Sequence, residues 1–141
     1  KSLGFEYEKP KDFTFRFMKV EEMIKQKEEE IRNNNIAKRY EQLPKYKTKE
    51  VTISPFKTAD EIINCGKALH NCIGGYVRKY ADGDSDIYHL DVKGKLTCAI
   101  EVWENELYQA YIDGNKKCPE KLMKHIKKWG EKNKINLGRY A

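Results

Sequence analysis

From Asp86 to Ile112 the chain alternates apolar and polar residues in three short runs separated by turn signals, and that pattern leaves few choices of fold. Asp86 to Val92 alternates, Lys93-Gly94 has the composition of a tight two-residue turn, and Leu96 to Trp103 alternates back. A second turn at Glu104-Asn105-Glu106 leads into Leu107 through Ile112, which Asp113-Gly114-Asn115 closes. The expected structure is an antiparallel meander of three strands. So small a sheet is stable only when a face is covered, so the flanking segments must supply amphipathic helices. Register has a chemical consequence. With a three-residue loop at 104–106, Trp103 faces Leu107 and Glu101 faces Gln109, a carboxylate beside an amide on one sheet face. A two-residue loop would put those side chains on opposite faces. Asn105 tolerates a left-handed backbone at the apex, which favours the three-residue loop.

The covering helices are legible in turn. Thr58-Ala59-Asp60-Glu61 has capping-box spacing, in which a hydroxyl and a carboxylate satisfy two orphan amides at a helix start. That helix is expected to turn Ile62, Ile63, Ala68 and Leu69 inward and to deliver His70 and Cys72 at its end. Gly74-Gly75 then allows a sharp chain reversal before a short helix from Tyr76 to Tyr80. Pro119 suits the first position of a final helix. Its inner stripe is Leu122, Met123, Ile126 and Trp129, and Lys121, Lys124, Lys128 and Lys132 lie to the other side. Upstream, Phe15 to Leu43 reads as a helix with a discontinuous stripe of Phe17, Val20, Met23, Ile24, Ile31, Ile36, Tyr40 and Leu43. Asn33-Asn34-Asn35 is a candidate break and Pro44 the stop. Residues 1–14, with Phe5, Tyr7, Pro10 and Phe13, read as an irregular arm. Val51 to Ser54 alternates as a candidate fourth strand that Pro55 ends. The fold class is therefore α+β, a three-stranded antiparallel sheet or a four-stranded one packed by a long N-terminal helix, a central helix and a basic C-terminal helix. One globular domain is expected, with 1–49 as arm and helix, 50–135 as core and 136–141 as tail.

Charge and cysteine usage narrow the setting. No apolar run approaches the ~18 residues of a membrane span, and no signal-peptide pattern is present. The chain begins at Lys1 rather than Met, as a segment cut from a longer chain would. Cys65, Cys72, Cys98 and Cys118 lack the density of a disulfide framework, and are read as free thiols in a reducing cytoplasm. The net charge of +6 is unevenly spread: residues 116–141 hold nine Lys or Arg against two Glu, and residues 60–115 hold five against ten Asp or Glu. Clustered lysines give salt-sensitive, sequence-blind attraction to phosphates, and equally a merely solvated helix face.

Four chemistries compete for the remaining polar residues. In the first, Cys72 is a nucleophile ahead of a helix start, with His70 or His89 as base and Glu101 or Gln109 orienting or stabilising an oxyanion. The plain alternative makes Cys72 a small buried hydrophobe and His70 a helix cap. In the second, Cys65, His70, Cys72, Cys118 and His125 offer metal ligands, but at none of the usual zinc spacings. In the third, His70, Tyr76, Glu101, Gln109 and Asn115 converge into a polar ligand pocket, or else form a structural network that satisfies the Gly-Gly turn. In the fourth, Tyr76, Tyr80, Tyr88, Tyr108 and Tyr111 stack on unpaired bases beside phosphate-binding Lys121, Lys124 and Lys128. No cofactor motif is present.

Read in order, Leu69-His70-Asn71-Cys72-Ile73-Gly74-Gly75-Tyr76, Gly83, Thr97-Cys98-Ala99-Ile100-Glu101, Gln109, Gly114-Asn115, Pro119 and Trp129 resemble the PcfJ-like family over roughly residues 50–132. Asn115 departs from the family's Gly-x-x-Asn spacing. The resemblance implies an accessory protein of a conjugative plasmid, phage or other bacterial mobile element, and it implies no reaction. With the residues it gives a leading expectation of a cytoplasmic protein that binds nucleic acid or a nucleoprotein complex, with a polar pocket at His70, Cys72, Glu101 and Gln109. The alternatives are an enzyme using Cys72 and His70, and a protein-binding antagonist of a host defence system.

Overall fold

Two turns fix the centre of the fold. Lys93 (φ 52°) with Gly94 (φ 80°), and Glu104 (φ 50°) with Asn105 (φ 63°), each place two consecutive residues in the left-handed region. That is the backbone of a two-residue hairpin whose twist matches its strands. In a computed structural model that describes residues 10–140, these hairpins link β3 (Asp86–Val92), β4 (Lys95–Trp103) and β5 (Glu106–Ile112). The sheet is larger than the expected three or four strands. It has six, all antiparallel and in chain order, with β1 (Tyr46–Lys47) and β2 (Val51–Pro55) on one side and β6 (Lys116–Lys117) on the other. Strands of two residues are too short to show alternation, so β1 and β6 leave no periodic trace. Pro55 belongs to β2 opposite Tyr88 instead of ending it. Because β1 reaches only Thr52 and Ile53, Pro55 stands where one edge of β2 is free and a missing donor is tolerated.

The second hairpin corrects the expected loop. Trp103 pairs with Glu106 and Val102 with Leu107 across two turn residues, yet Glu101 still pairs with Gln109. A β-bulge reconciles the two, since Tyr108 is an extra residue between those pairs. Leu107 and Ala110, three apart, are consequently both buried in one cluster.

The sheet is covered on both faces. Toward one lies α4 (Glu120–Lys132), which buries Leu122, Met123, Ile126 and Trp129 against Ile53, Tyr88, Leu90, Ile100, Val102 and Leu107. Toward the other lie α2 (Ala59–Leu69), a 3₁₀ turn (Cys72–Tyr76) and α3 (Val77–Asp82), all inserted between β2 and β3. Thr58 Oγ1 accepts from the Glu61 amide at 3.1 Å, while the Glu61 carboxylate accepts from the Lys57 amide at 2.8 Å. The inward residues of α2 are Ile62, Cys65, Gly66 and Leu69, whose spacing follows one helical face, and Ile63 and Ala68 are exposed. After α4, Ile135 is buried, and Leu137 and Tyr140 pack against the same core.

The first helix, α1, runs from Pro10 to Gln42. Residues 10–14 are thus helical, and the Asn33-Asn34-Asn35 run does not interrupt the helix, because an asparagine costs only a few tenths of a kcal/mol against alanine in a helix. The arm residues 1–9 lie outside the described residues. The chain divides into a unit to Arg32 and a second from Asn33 onward. In the first, Val20, Met23, Ile24 and Ile31 are exposed. In the second, Ile36 is fully buried, and Arg39 binds the Asp86 carboxylate and donates to the Tyr80 carbonyl at 3.2 Å. Among the described residues, no helix is long and apolar enough to cross a membrane.

Candidate functional site

The junction after α2 is built by a histidine, not by the glycine pair. His70 takes a left-handed conformation (φ 52°, ψ 50°) as the helix cap, and its amide donates to the Gly66 carbonyl. Neither Gly74 nor Gly75 has a positive φ. The demand for a missing side chain falls on Gly66, where a Cβ would stand 2.8 Å from the Gly74 nitrogen and 3.3 Å from the Asn71 oxygen. That close passage of α2 over the 3₁₀ turn sets Cys72 and Tyr76 above the sheet. Asn71 caps the turn, its side chain accepting from the Ile73 amide at 3.1 Å.

Between the turn and the strands runs a narrow cleft of about 60 Å³, lined among others by Cys72, Tyr76, Glu101, Gln109, Tyr111 and Asn115. At that size it holds a water or two, not a drug-sized molecule. Of the residues expected at a Cys/His site or a polar pocket, Cys72, Tyr76, Glu101, Gln109 and Asn115 therefore meet here. At its base Glu101 is only 8% exposed. One carboxylate oxygen accepts from Gln109 Nε2 and the other from Ser85 Oγ, both at 2.7 Å. Burial and the neighbouring Glu101 carboxylate push the Tyr76 phenol up. Ser85 carries no motif of its own, but register exposes it: Ile87 pairs with Glu101, so Ser85, two residues earlier, falls diagonally beside Glu101 on the same face.

His70 does not line this cleft. Its Nδ1 lies 2.7 Å from Asp113 Oδ1, in a pair whose side chains are 74% and 65% exposed. Such a pair orients a ring at little gain in stability. In the sequence Asp113 carries only a turn signal. Cys72 is exposed, and among the described residues no hydrogen bond joins it to His70. His89 belongs elsewhere: it packs on the Phe56 ring with centroids 4.9 Å apart, bonds Asp91 at 3.0 Å, and lines a groove that includes Cys65.

The candidate metal ligands stay apart. Among the described residues no group of three or more His, Cys, Asp or Glu is arranged to hold an ion. His125 Nδ1 meets the Tyr46 hydroxyl at 2.9 Å. The Cys118 sulfur meets Cys98 at 3.7 Å. Cys65 is buried, and burial followed by the Asp91 charge pushes its thiol up to about 12.

The aromatic and basic residues also separate. Tyr80 and Tyr88 are 0% and 1% exposed and present no face to a base. Lys121, Lys124 and Lys128 are exposed on α4, on the far side of the sheet from Glu101. The lysine face and the polar cleft are two surfaces, not one.

No curated protein matches the chain. A family model described as PcfJ-like protein matches residues 5–126. Matched over most of its length, the chain belongs to the PcfJ-like family.

Proposed function

We propose that this chain is an accessory protein of a bacterial mobile genetic element, a conjugative plasmid or phage, and that it binds nucleic acid or a nucleoprotein complex through the outer face of α4. The mobile-element setting rests on the family. The observation that carries the binding is a row of lysines without counter-charge. Lys121, Lys124 and Lys128 recur along one exposed side, preceded by Lys116 and Lys117 and followed by Lys132. Among the described residues none of them has a carboxylate within 4.0 Å. Lys121 to Lys132 spans roughly 16 Å at ~1.5 Å per residue, the length of about five phosphates of one DNA strand at ~3.4 Å each. Lysine meets phosphate as a point charge and reads no bases. Binding should therefore be sequence-blind and salt-sensitive.

Fluorescence anisotropy with a duplex oligonucleotide across a salt series tests this. Replacing Lys121, Lys124 and Lys128 together by Gln should flatten the slope of log K against log salt by about 2.7, at ~0.9 per neutralised phosphate. Equal slopes and affinities for parent and variant would remove the reading.

The pair of His70 with Asp113 favours a second reading, in which Cys72 is a nucleophile. Asp113 holds one ring nitrogen and leaves the other for a base, the nucleophile–base–orienter pattern. Alkylation of Cys72, followed on its own peptide across pH, decides it. A midpoint well below the ~8.5 of a free thiol, lost in His70→Ala, supports catalysis. An ordinary midpoint in both proteins ends it.

A further inference from the structure

Beside the narrow cleft, towards the tip of the β4–β5 hairpin, the same sheet face opens into a wider one of about 260 Å³. Glu101 and Tyr76 belong to both. Trp103 and Tyr108 form its outer wall, with rings edge to face at 6.1 Å and 73°, and they are 49% and 52% exposed. Asp84 and Lys79 close the other side. We propose that this cleft binds an organic cation, a guanidinium or alkylammonium group, with Glu101 and Asp84 as counter-charges and Trp103, Tyr108 and Tyr76 as ring walls.

Three independent observations converge on that chemistry. The first is electrostatic. Glu101 is more than nine-tenths buried, the groups that face its carboxylate, Ser85, Gln109 and the Tyr76 phenol, are neutral, and among the described residues no cation lies within 4.0 Å of it. A carboxylate withdrawn from water without a counter-ion is costly, and an arriving cation recovers part of that cost. The second is the aromatic wall. Exposed Trp and Tyr faces beside negative charge attract cations through the ring quadrupole. The third is a resident example: Lys79 Nζ stands 5.1 Å from the Tyr76 centroid, so that ring already takes an ammonium. With Lys79 beside them the two carboxylates still leave the cleft net negative, which works against a phosphate-bearing ligand. A planar guanidinium suits the site best, since it can stack on a ring while its edge meets a carboxylate.

The Trp103 side chain reports on occupancy. The chain has two tryptophans, and Trp129 is fully buried on the α4 side. A ¹⁵N-labelled sample should therefore show two indole signals, assigned with Trp103→Phe. Titration with arginine amide or lysine amide should shift the Trp103 indole and the Gln109 side-chain amide saturably, while neutral citrulline amide should not. Asp84→Asn removes an exposed charge and should leave thermal unfolding unchanged, Trp103→Ala removes a half-buried ring and should lower it modestly, and each should weaken binding about tenfold. A Gly-Arg-Gly tripeptide that binds more tightly than arginine amide would identify the source as a polypeptide side chain, and equal binding would identify a free small cation. The lysine variants of α4 should titrate like the parent, so this result stands or falls apart from nucleic-acid binding. Shifts of equal size with citrulline amide, the absence of saturation by roughly 50 mM, or parental affinity in both variants would overturn the proposal.

Discussion

His70 is a residue in a backbone conformation that costs a non-glycine residue about 1 kcal/mol, at a position where glycine is the usual occupant. Strain retained at one residue is a reason to look for what its side chain does, and among the described residues the polar partner of that side chain is Asp113. Glu101 shows how far residue-level reading reaches. Its pairing with Gln109 is legible because alternation fixes faces, and the bond from Ser85 follows once the β3–β4 register is known, whereas the pair of His70 with Asp113 depends on a turn that carries no period. Cys65 yields a prediction at this scale. Burial, and after it the Asp91 charge, push its thiol up to about 12, so the folded state holds a proton that the unfolded state releases earlier. The sign follows: this contribution is fully present below pH ~9 and is lost as pH rises toward ~12. Urea midpoints measured across that range should fall for the parent and fall less steeply for Cys65→Ala, whose midpoint starts lower. A parallel fall in both proteins would mean Cys65 is not the titrating group.

Among the elements, α2 and the 3₁₀ turn are joined by an approach that only glycine permits. Gly66→Ala would force the backbone at Gly74 to move, since the added Cβ meets the Gly74 nitrogen at 2.8 Å, and overpacking of that kind costs about 1–3 kcal/mol. Gly75→Ala meets nothing within 4 Å and keeps a negative φ, so it should be neutral or slightly stabilising. Thermal unfolding of the two variants distinguishes them, and equal midpoints would contradict the close approach. The sequence pointed to the glycine pair because Gly-Gly is a strong local turn signal, but a contact between residues eight apart leaves no such mark. The hairpin errs in the opposite sense: a two-residue turn plus a bulge gives the same Glu101–Gln109 pairing as a three-residue loop. Two different backbones satisfy one pattern of faces. The inner stripe of α4 was fully legible, since Leu122, Met123, Ile126 and Trp129 are all buried.

For the whole molecule, the charge asymmetry read from the sequence becomes a separation of surfaces. The basic α4 and the acidic cleft lie on opposite faces of one sheet, so a polyanion and a small cation would not compete for the same ground. The two edge strands could not be read, and with them went the size of the sheet. Strand order has a further consequence. Each strand of the sheet pairs with the one made just before it, so a chain leaving the ribosome can extend its sheet edge by edge without waiting for a distant partner. The exception is α4, which is synthesised after every strand yet covers Ile53, Tyr88, Leu90 and Ile100. During synthesis that apolar face stays open until the basic helix arrives, so this is the interval in which a nascent chain of this design is most exposed to aggregation or to capture by a chaperone.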